Sequence, residues 1–410
     1  MKRQTLADPF RSLWIASTSG ALADGIGATA LPLLIVSLTH NPVTVSLLQV
    51  ALGLPWLLLG LHAGVLSDRW DRRRILWGAD LFRMAVLVAL ILVVSADATS
   101  VPAILAVALV YGGAAVLFGS ASPTILPSVV SERDLSKANS RLQTGTTTTG
   151  SLAGPSMGGV MFTMAAWVPL LTQACALAAS VMALRRLPQS VRPHDSTPRP
   201  PMRIEIAEGL RWIIRDPTLV ALAIATTLLA ASTGMLLAVL VLHVADALHG
   251  SQSSYGLLFT LYACGGLAAS TAVPRAHARW GTRSCLIVSA SLGAVSLLVV
   301  AWGTTVIYAA VGLVLLGVAT MLYNVIAVTV RQQRTPDHLL GRVSSVFNVL
   351  GVGSLPPAAL AAGVLAKAYG TGPSITLGAG LCTLATAGIV LLIPRCEAAK
   401  SRERDSEQTH

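Results

Sequence analysis

Gly64-Val65-Leu66-Ser67-Asp68-Arg69-Trp70-Asp71-Arg72-Arg73-Arg74 lies between two long apolar stretches and crowds aspartates and arginines into a few residues. Charge at bilayer depth is expensive, so it collects at a membrane edge unless it works inside. A helix ending near Gly64, a sharp turn and a basic cluster together describe a very short cytoplasmic loop joining two membrane spans. An ordinary stop-transfer cluster would account for the arginines, but not for Gly64 and Asp68 at their spacing.

The whole chain has the composition such a loop demands. Its 410 residues are 54% hydrophobic and 11% charged, with a mean hydropathy of +0.70. A soluble chain of this size would be about a quarter charged. Apolar runs of about 20 residues give twelve spans: 11–37, 46–66, 76–96, 102–125, 141–164, 167–185, 217–242, 252–274, 284–302, 304–330, 342–366 and 372–393. Arginine and lysine fall almost wholly before the first span, after each even-numbered span and in the tail. Lys367 alone lies on the other side, and Arg83 alone lies within a span. This alternation places both termini and every even-to-odd loop in the cytoplasm. The net charge of +11 is therefore topological and implies no nucleic-acid partner. Five scattered cysteines form no disulfide framework or metal site. The basic start and first apolar run superficially resemble a signal peptide, but the run is long and continues into further spans, so an uncleaved first helix is expected.

The opening stretch resembles the signature loop between helices 2 and 3 of the major facilitator superfamily. The match G-x-L-x-D-R-x-x-R-R takes in Gly64, Asp68, Arg69, Arg72 and Arg73, and Asp71 stands where the family has glycine. Aspartate tolerates left-handed backbone better than most residues, which would preserve the turn. The resemblance implies an all-α, twelve-span fold in two six-helix halves, with Asp68, Arg72 and Arg73 in a cytoplasmic gate. The expected halves are 1–186 and 216–394, joined by a cytoplasmic linker at 187–215 and followed by a tail at 395–410. The linker begins proline-rich and polar, and Met202 to Ile214 reads either as an amphipathic helix on the inner leaflet or as a solvated connector. Glu208 to Trp212 followed by Asp216-Pro217 resembles the macrolide-efflux and siderophore-exporter branch. The halves echo weakly: Arg69 to Arg73 corresponds to Arg279-Trp280-Gly281-Thr282-Arg283.

Span five carries Gly150, Gly154, Pro155, Gly158 and Gly159, the antiporter motif of the same superfamily, G-x-x-x-G-P-x-x-G-G. Generic small-residue packing explains the glycines alone, but not Gly-Pro followed by Gly-Gly in this register. In the family the motif marks exporters that exchange substrate for protons.

Asp24 lies near the middle of span one. An ionised carboxylate there costs at least ~2.5–3.5 kcal/mol, so it must be protonated, paired or in a water-filled cavity. That makes it the candidate proton carrier, against the plainer reading of a structural acid satisfied by nearby serines or backbone. Asp80 and Arg83, three apart on one helix face, are expected to form a structural pair or a network with Asp68 and the arginine cluster. Gln49, Gln173 and Asn324 are candidate cavity-lining groups. Span four lacks an arginine, which moves weight onto Asp24.

The leading reading is a proton-coupled exporter of an amphipathic small molecule such as a drug, antibiotic, siderophore or secondary metabolite. A proton symporter or importer on the same fold, and a non-transporting receptor or scaffold, are the alternatives. No phosphate-binding loop of the G-x-x-x-x-G-K-[ST] type is present, which disfavours an ATP-driven pump. The expectation is a transporter rather than an enzyme, without cofactor or metal and driven by the proton gradient. Its partners would be substrate, protons and the lipid bilayer of the cell membrane, and it would act as a monomer.

Overall fold

The structure is a computed structural model of the chain, and it describes residues 8–69, 71–130, 134–187 and 202–393. Among them, every regular element is helical. In order these are α1 (Asp8–Val36), α2 (Pro42–Arg69), α3 (Arg72–Ser95), α4 (Val101–Val129), α5 (Leu135–Thr146) and α6 (Gly154–Met164). Then follow α7 (Trp167–Leu184), α8 (Met202–Arg215), α9 (Pro217–Leu242), α10 (Gln252–Trp302), α11 (Val306–Arg334), α12 (Asp337–Tyr369) and α13 (Thr371–Leu392).

Ten helical stretches among the described residues are long and apolar enough to cross a membrane. Two local breaks account for the remaining crossings. The 51-residue α10 turns at Gly281, whose φ of 73° lies in the left-handed region that only glycine enters freely, so it supplies two spans. The α5–α6 stretch is a single span interrupted by a π-helical segment, Thr147–Ala153. Pro155 has no N–H to donate, and the helix widens ahead of it. The Gly154 amide reaches back five residues to the Thr149 carbonyl. The chain is an all-α, multi-pass membrane protein of the twelve-span kind.

The turn between α2 and α3 is built differently from expectation. Asp71 has φ −60° and ψ 109°, an extended conformation, and its carboxylate accepts the Arg73 amide at 3.0 Å as the N-cap of α3. The corresponding loop residue of the second unit, Gly281, has the left-handed backbone instead. Aspartate replaces the family's glycine by capping the next helix, which satisfies an otherwise orphaned donor.

Two compact units partition the chain: residues 1–198 with 241–260, and residues 199–240 with 261–410. In the first, Phe10, Leu13, Leu76, Ile125 and Leu184 form a buried cluster that joins α1, α3, α4 and α7. Arg73 there donates through Nε to the Leu184 carbonyl at 3.2 Å and through Nη2 to the Arg185 carbonyl, tying the start of α3 to the end of α7. In the second unit Arg283, the counterpart of Arg73, donates to the Val390 carbonyl near the end of α13 at 2.8 Å. A basic side chain on helix-terminal carbonyls satisfies both acceptors and dipole.

Helix α8 belongs to the second unit. Ile213 joins its core with Leu219, Val330 and Val343, and Trp212 Nε1 donates to the Arg334 carbonyl at 3.1 Å. Asp216 receives Arg334 Nη1 at 2.9 Å and the Thr218 amide at 2.8 Å. Partial burial pushes the Asp216 carboxyl up, but these donors outweigh it and hold it below the usual carboxylate range.

Candidate functional site

Four helices of the first unit converge on one guanidinium. Asp24 comes from α1, Asp80 and Arg83 from adjacent turns of α3, Tyr111 from α4 and Ser180 from α7. Arg83 is 1% exposed and Asp80 fully buried. Arg83 Nη1 donates to Asp80 Oδ1 at 3.0 Å, and Nη2 donates to Asp24 Oδ1 and to the Tyr111 hydroxyl, the latter at 2.6 Å. Tyr111 in turn donates to Asp24 Oδ1 at 2.9 Å. Its ring lies under the guanidinium, 4.4 Å from carbon to centroid, a cation–π arrangement that desolvation strengthens. Ser180 donates to Asp80 Oδ2 at 2.5 Å.

The two carboxylates differ in access. Asp80 is sealed, whereas the Asp24 side chain is 52% exposed. With both ionised, the cluster carries two negative charges against one positive; one added proton makes it neutral. A buried ion cluster is costly to leave unbalanced, and Asp24 is its accessible carboxylate. Arg83 Nε is buried without a hydrogen-bond partner among the described residues, a donor left over for rearrangement of the cluster.

Asp80 and Arg83 form the expected pair. Among the described residues they join Asp24, so the mid-span acid is paired and the helix-four contribution is a tyrosine. Tyr111 and Ser180 were not singled out in the sequence. A tyrosine inside an apolar span carries a detectable signal, a hydroxyl that needs a partner. A serine among alanines carries almost none.

The antiporter-motif glycines pack against α1. A methyl group added at Gly154 would lie 2.8 Å from the Gly25 Cα, and one at Gly158 2.7 Å from the Ile26 carbonyl oxygen. Thr29 bonds across this contact to the Pro155 carbonyl at 3.1 Å. Gly150 lies against Ala21, while Gly159 faces Gly256 at the start of α10. The Leu152 carbonyl, within the π-helical segment, accepts the Thr260 hydroxyl at 2.6 Å. The motif therefore holds α5–α6 close to the helix that carries Asp24.

The other candidates are dispersed. Gln173 is 1% exposed, and its Oε1 would sit 2.8 Å from a methyl at Gly27, so it packs α7 on α1 rather than lining a cavity. Gln49 is half-buried and Asn324 exposed. Of the signature loop, Arg73 holds the end of α7 and Gly64 lies within α2; the side chains of Asp68, Arg69 and Arg72 lie outside what is described. A cavity of about 490 Å³ opens near the end of α1, lined by Leu33, Val36, Val241 and Tyr255 among others. At its edge His40 Nδ1 meets Asp246 Oδ1 at 2.9 Å.

The chain as a whole is similar to known transporters. The multidrug efflux pump Tap of Mycolicibacterium fortuitum is 28% identical over 400 residues, 93% of this chain and 95% of Tap. The enterobactin exporter EntS of Escherichia coli (strain SMS-3-5) is 26% identical over 409 residues, 98% of this chain and 95% of EntS. Among solved structures, a bacterial homologue of the iron transporter ferroportin superposes with a TM-score of 0.78 at 16% identity, covering 96% of this chain and all of that one. The nucleoside transporter NupG gives 0.76 at 12% identity, over 94% and 99%; both likenesses concern the fold. The family model described as "Transmembrane secretion effector" matches residues 5–410, and the chain belongs to that family within the major facilitator superfamily of transporters.

Proposed function

We propose that the protein is a secondary exporter that exchanges protons for an amphipathic small molecule, a drug, antibiotic, siderophore or secondary metabolite, leaving the cytoplasm. The observation that carries this reading is the pair of carboxylates on one guanidinium, Asp24 half-exposed and Asp80 sealed. Deprotonated, Asp24 holds Arg83 Nη2 and the Tyr111 hydroxyl. Protonated, it releases the guanidinium to Asp80 and leaves the cluster neutral. Each exchange thus changes both the charge of the site and the contacts between α1, α3 and α4, the coupling an antiporter needs.

A proton crossing 100 mV supplies about 2.3 kcal/mol before any pH gradient is added. The export direction draws on the antiporter motif and on relatives named as a multidrug efflux pump and an enterobactin exporter. Both termini lie in the cytoplasm, and Asp68 with Arg69 and Arg72 serves the cytoplasmic gate. The reading is tested by accumulation of a drug panel in cells with and without the protein. Lower accumulation that a protonophore abolishes supports it; equal accumulation of every compound, or efflux indifferent to the protonophore, contradicts it.

A further inference from the structure

The helix α8 has one face committed to the protein and, among the described residues, another that is not. Glu208 pairs with Arg342, Gly209 lies against the Arg342 backbone, Trp212 and Asp216 hold Arg334, and Ile213 is buried. Positions 208, 209, 212, 213 and 216 are one helical stripe, pinned to the end of α11 and the start of α12. On the opposite stripe Leu210 is 45% and Ile214 65% exposed, one turn apart. Beside them Arg211 and Arg215 are exposed, also one turn apart.

An apolar pair flanked by an arginine pair is a poor match to water alone. It is a good match to the boundary of a bilayer, where aliphatic side chains enter the acyl region and arginines rise to the headgroups. Position supports the same occupant. Asp216 alone separates α8 from the apolar span α9, so α8 runs at the membrane edge. The charge is complementary to phosphate, which arginine binds through a planar fork of donors.

We propose that the outer face of α8 binds anionic phospholipid headgroups of the inner leaflet through Arg211 and Arg215, with Leu210 and Ile214 inserted beside them. Because the other face grips Arg334 and Arg342, bound lipid holds α8 against α11 and α12. The proposal rests on the cytoplasmic orientation of the even-to-odd loops and is independent of the transported substrate.

The purified protein is titrated with dioleoylphosphatidylglycerol or dioleoylphosphatidylcholine, and retained lipid is counted by native mass spectrometry. Wild type is expected to favour phosphatidylglycerol by roughly fivefold per arginine, and Arg211→Gln with Arg215→Gln to lose that preference at unchanged phosphatidylcholine retention. A nitroxide on Ile214→Cys, in a background without native cysteines, is expected to be more accessible to oxygen than to a water-soluble nickel chelate. An undiminished preference in the double variant, or a nitroxide that favours the chelate, overturns the proposal. Labelling of an Arg215→Cys variant from outside intact cells overturns the orientation, and with it the inner-leaflet assignment, whatever the lipid response.

Discussion

Asp24 and Asp80, one on α1 and one on α3, bind opposite nitrogens of the same Arg83 guanidinium. One cation thus answers two carboxylates from two helices. The fully buried Asp80 is also held by the Ser180 hydroxyl, and the half-exposed Asp24 by the Tyr111 hydroxyl.

Arg83→Gln should be the most destabilising change in the cluster. It leaves two carboxylates without their cation, and breaking a buried pair from one side costs about 3–5 kcal/mol. Adding Asp80→Asn removes the surplus charge and should restore much of the loss. Thermal unfolding in detergent reads both; a double variant as unstable as the single one would show that charge balance is not what holds these helices.

Tyr111→Phe keeps the ring under Arg83 but removes the donor to Asp24. The hydroxyl also accepts from Arg83, so the expected stability loss is about 1–3 kcal/mol, the net worth of two hydrogen bonds, and transport should shift in pH dependence. Ser180→Ala strands the sealed Asp80 Oδ2 and should cost about 1–3 kcal/mol. Equal, negligible effects from the two would place both residues outside the cluster's energetics.

Gly154→Ala should force α6 away from α1, because the new methyl would press on the Gly25 backbone. Overpacking of this kind costs about 1–3 kcal/mol, read as a lower unfolding temperature. An unchanged melting curve would mean the interface yields without strain.

Asp216 offers a pH test outside the spans. Its carboxyl is held below the ordinary range by Arg334 and the Thr218 amide. Its stabilising contribution is thus complete above the unfolded value of about 3.9 and fades as pH falls through the lower folded value. The stability gap between wild type and Asp216→Asn should be present at neutral pH and shrink below about pH 4. A gap that widens in acid would reverse the assignment.

The architecture was largely legible in the residues because hydropathy and arginine placement are imposed by the bilayer, span by span. Asp24, Asp80 and Arg83 were recognisable for the same reason: charge within a span needs an explanation. Their partnership was not, because α1 and α3 are brought together by both packing on α7, which periodicity does not encode. Asp71 was misjudged because its substitution for glycine suggested a backbone adaptation, whereas its side chain caps α3. The committed stripe of α8 was hidden as well, since Trp212 and Gly209 acquire meaning only against α11 and α12.

The central claim is that Asp24 carries the coupled proton, and the direct measurement is drug-dependent proton movement across proteoliposomes containing wild type, Asp24→Asn or Asp24→Glu. Asparagine keeps the size and much of the hydrogen bonding while deleting titration. We expect Asp24→Asn to insert and exchange drug for drug, yet release no protons and build no drug gradient. Asp24→Glu should retain partial coupling with a shifted pH dependence. A structural acid would give the opposite ranking, with Asn mild and Glu damaging through its extra methylene. Proton-driven transport at wild-type rates in Asp24→Asn would contradict the claim outright.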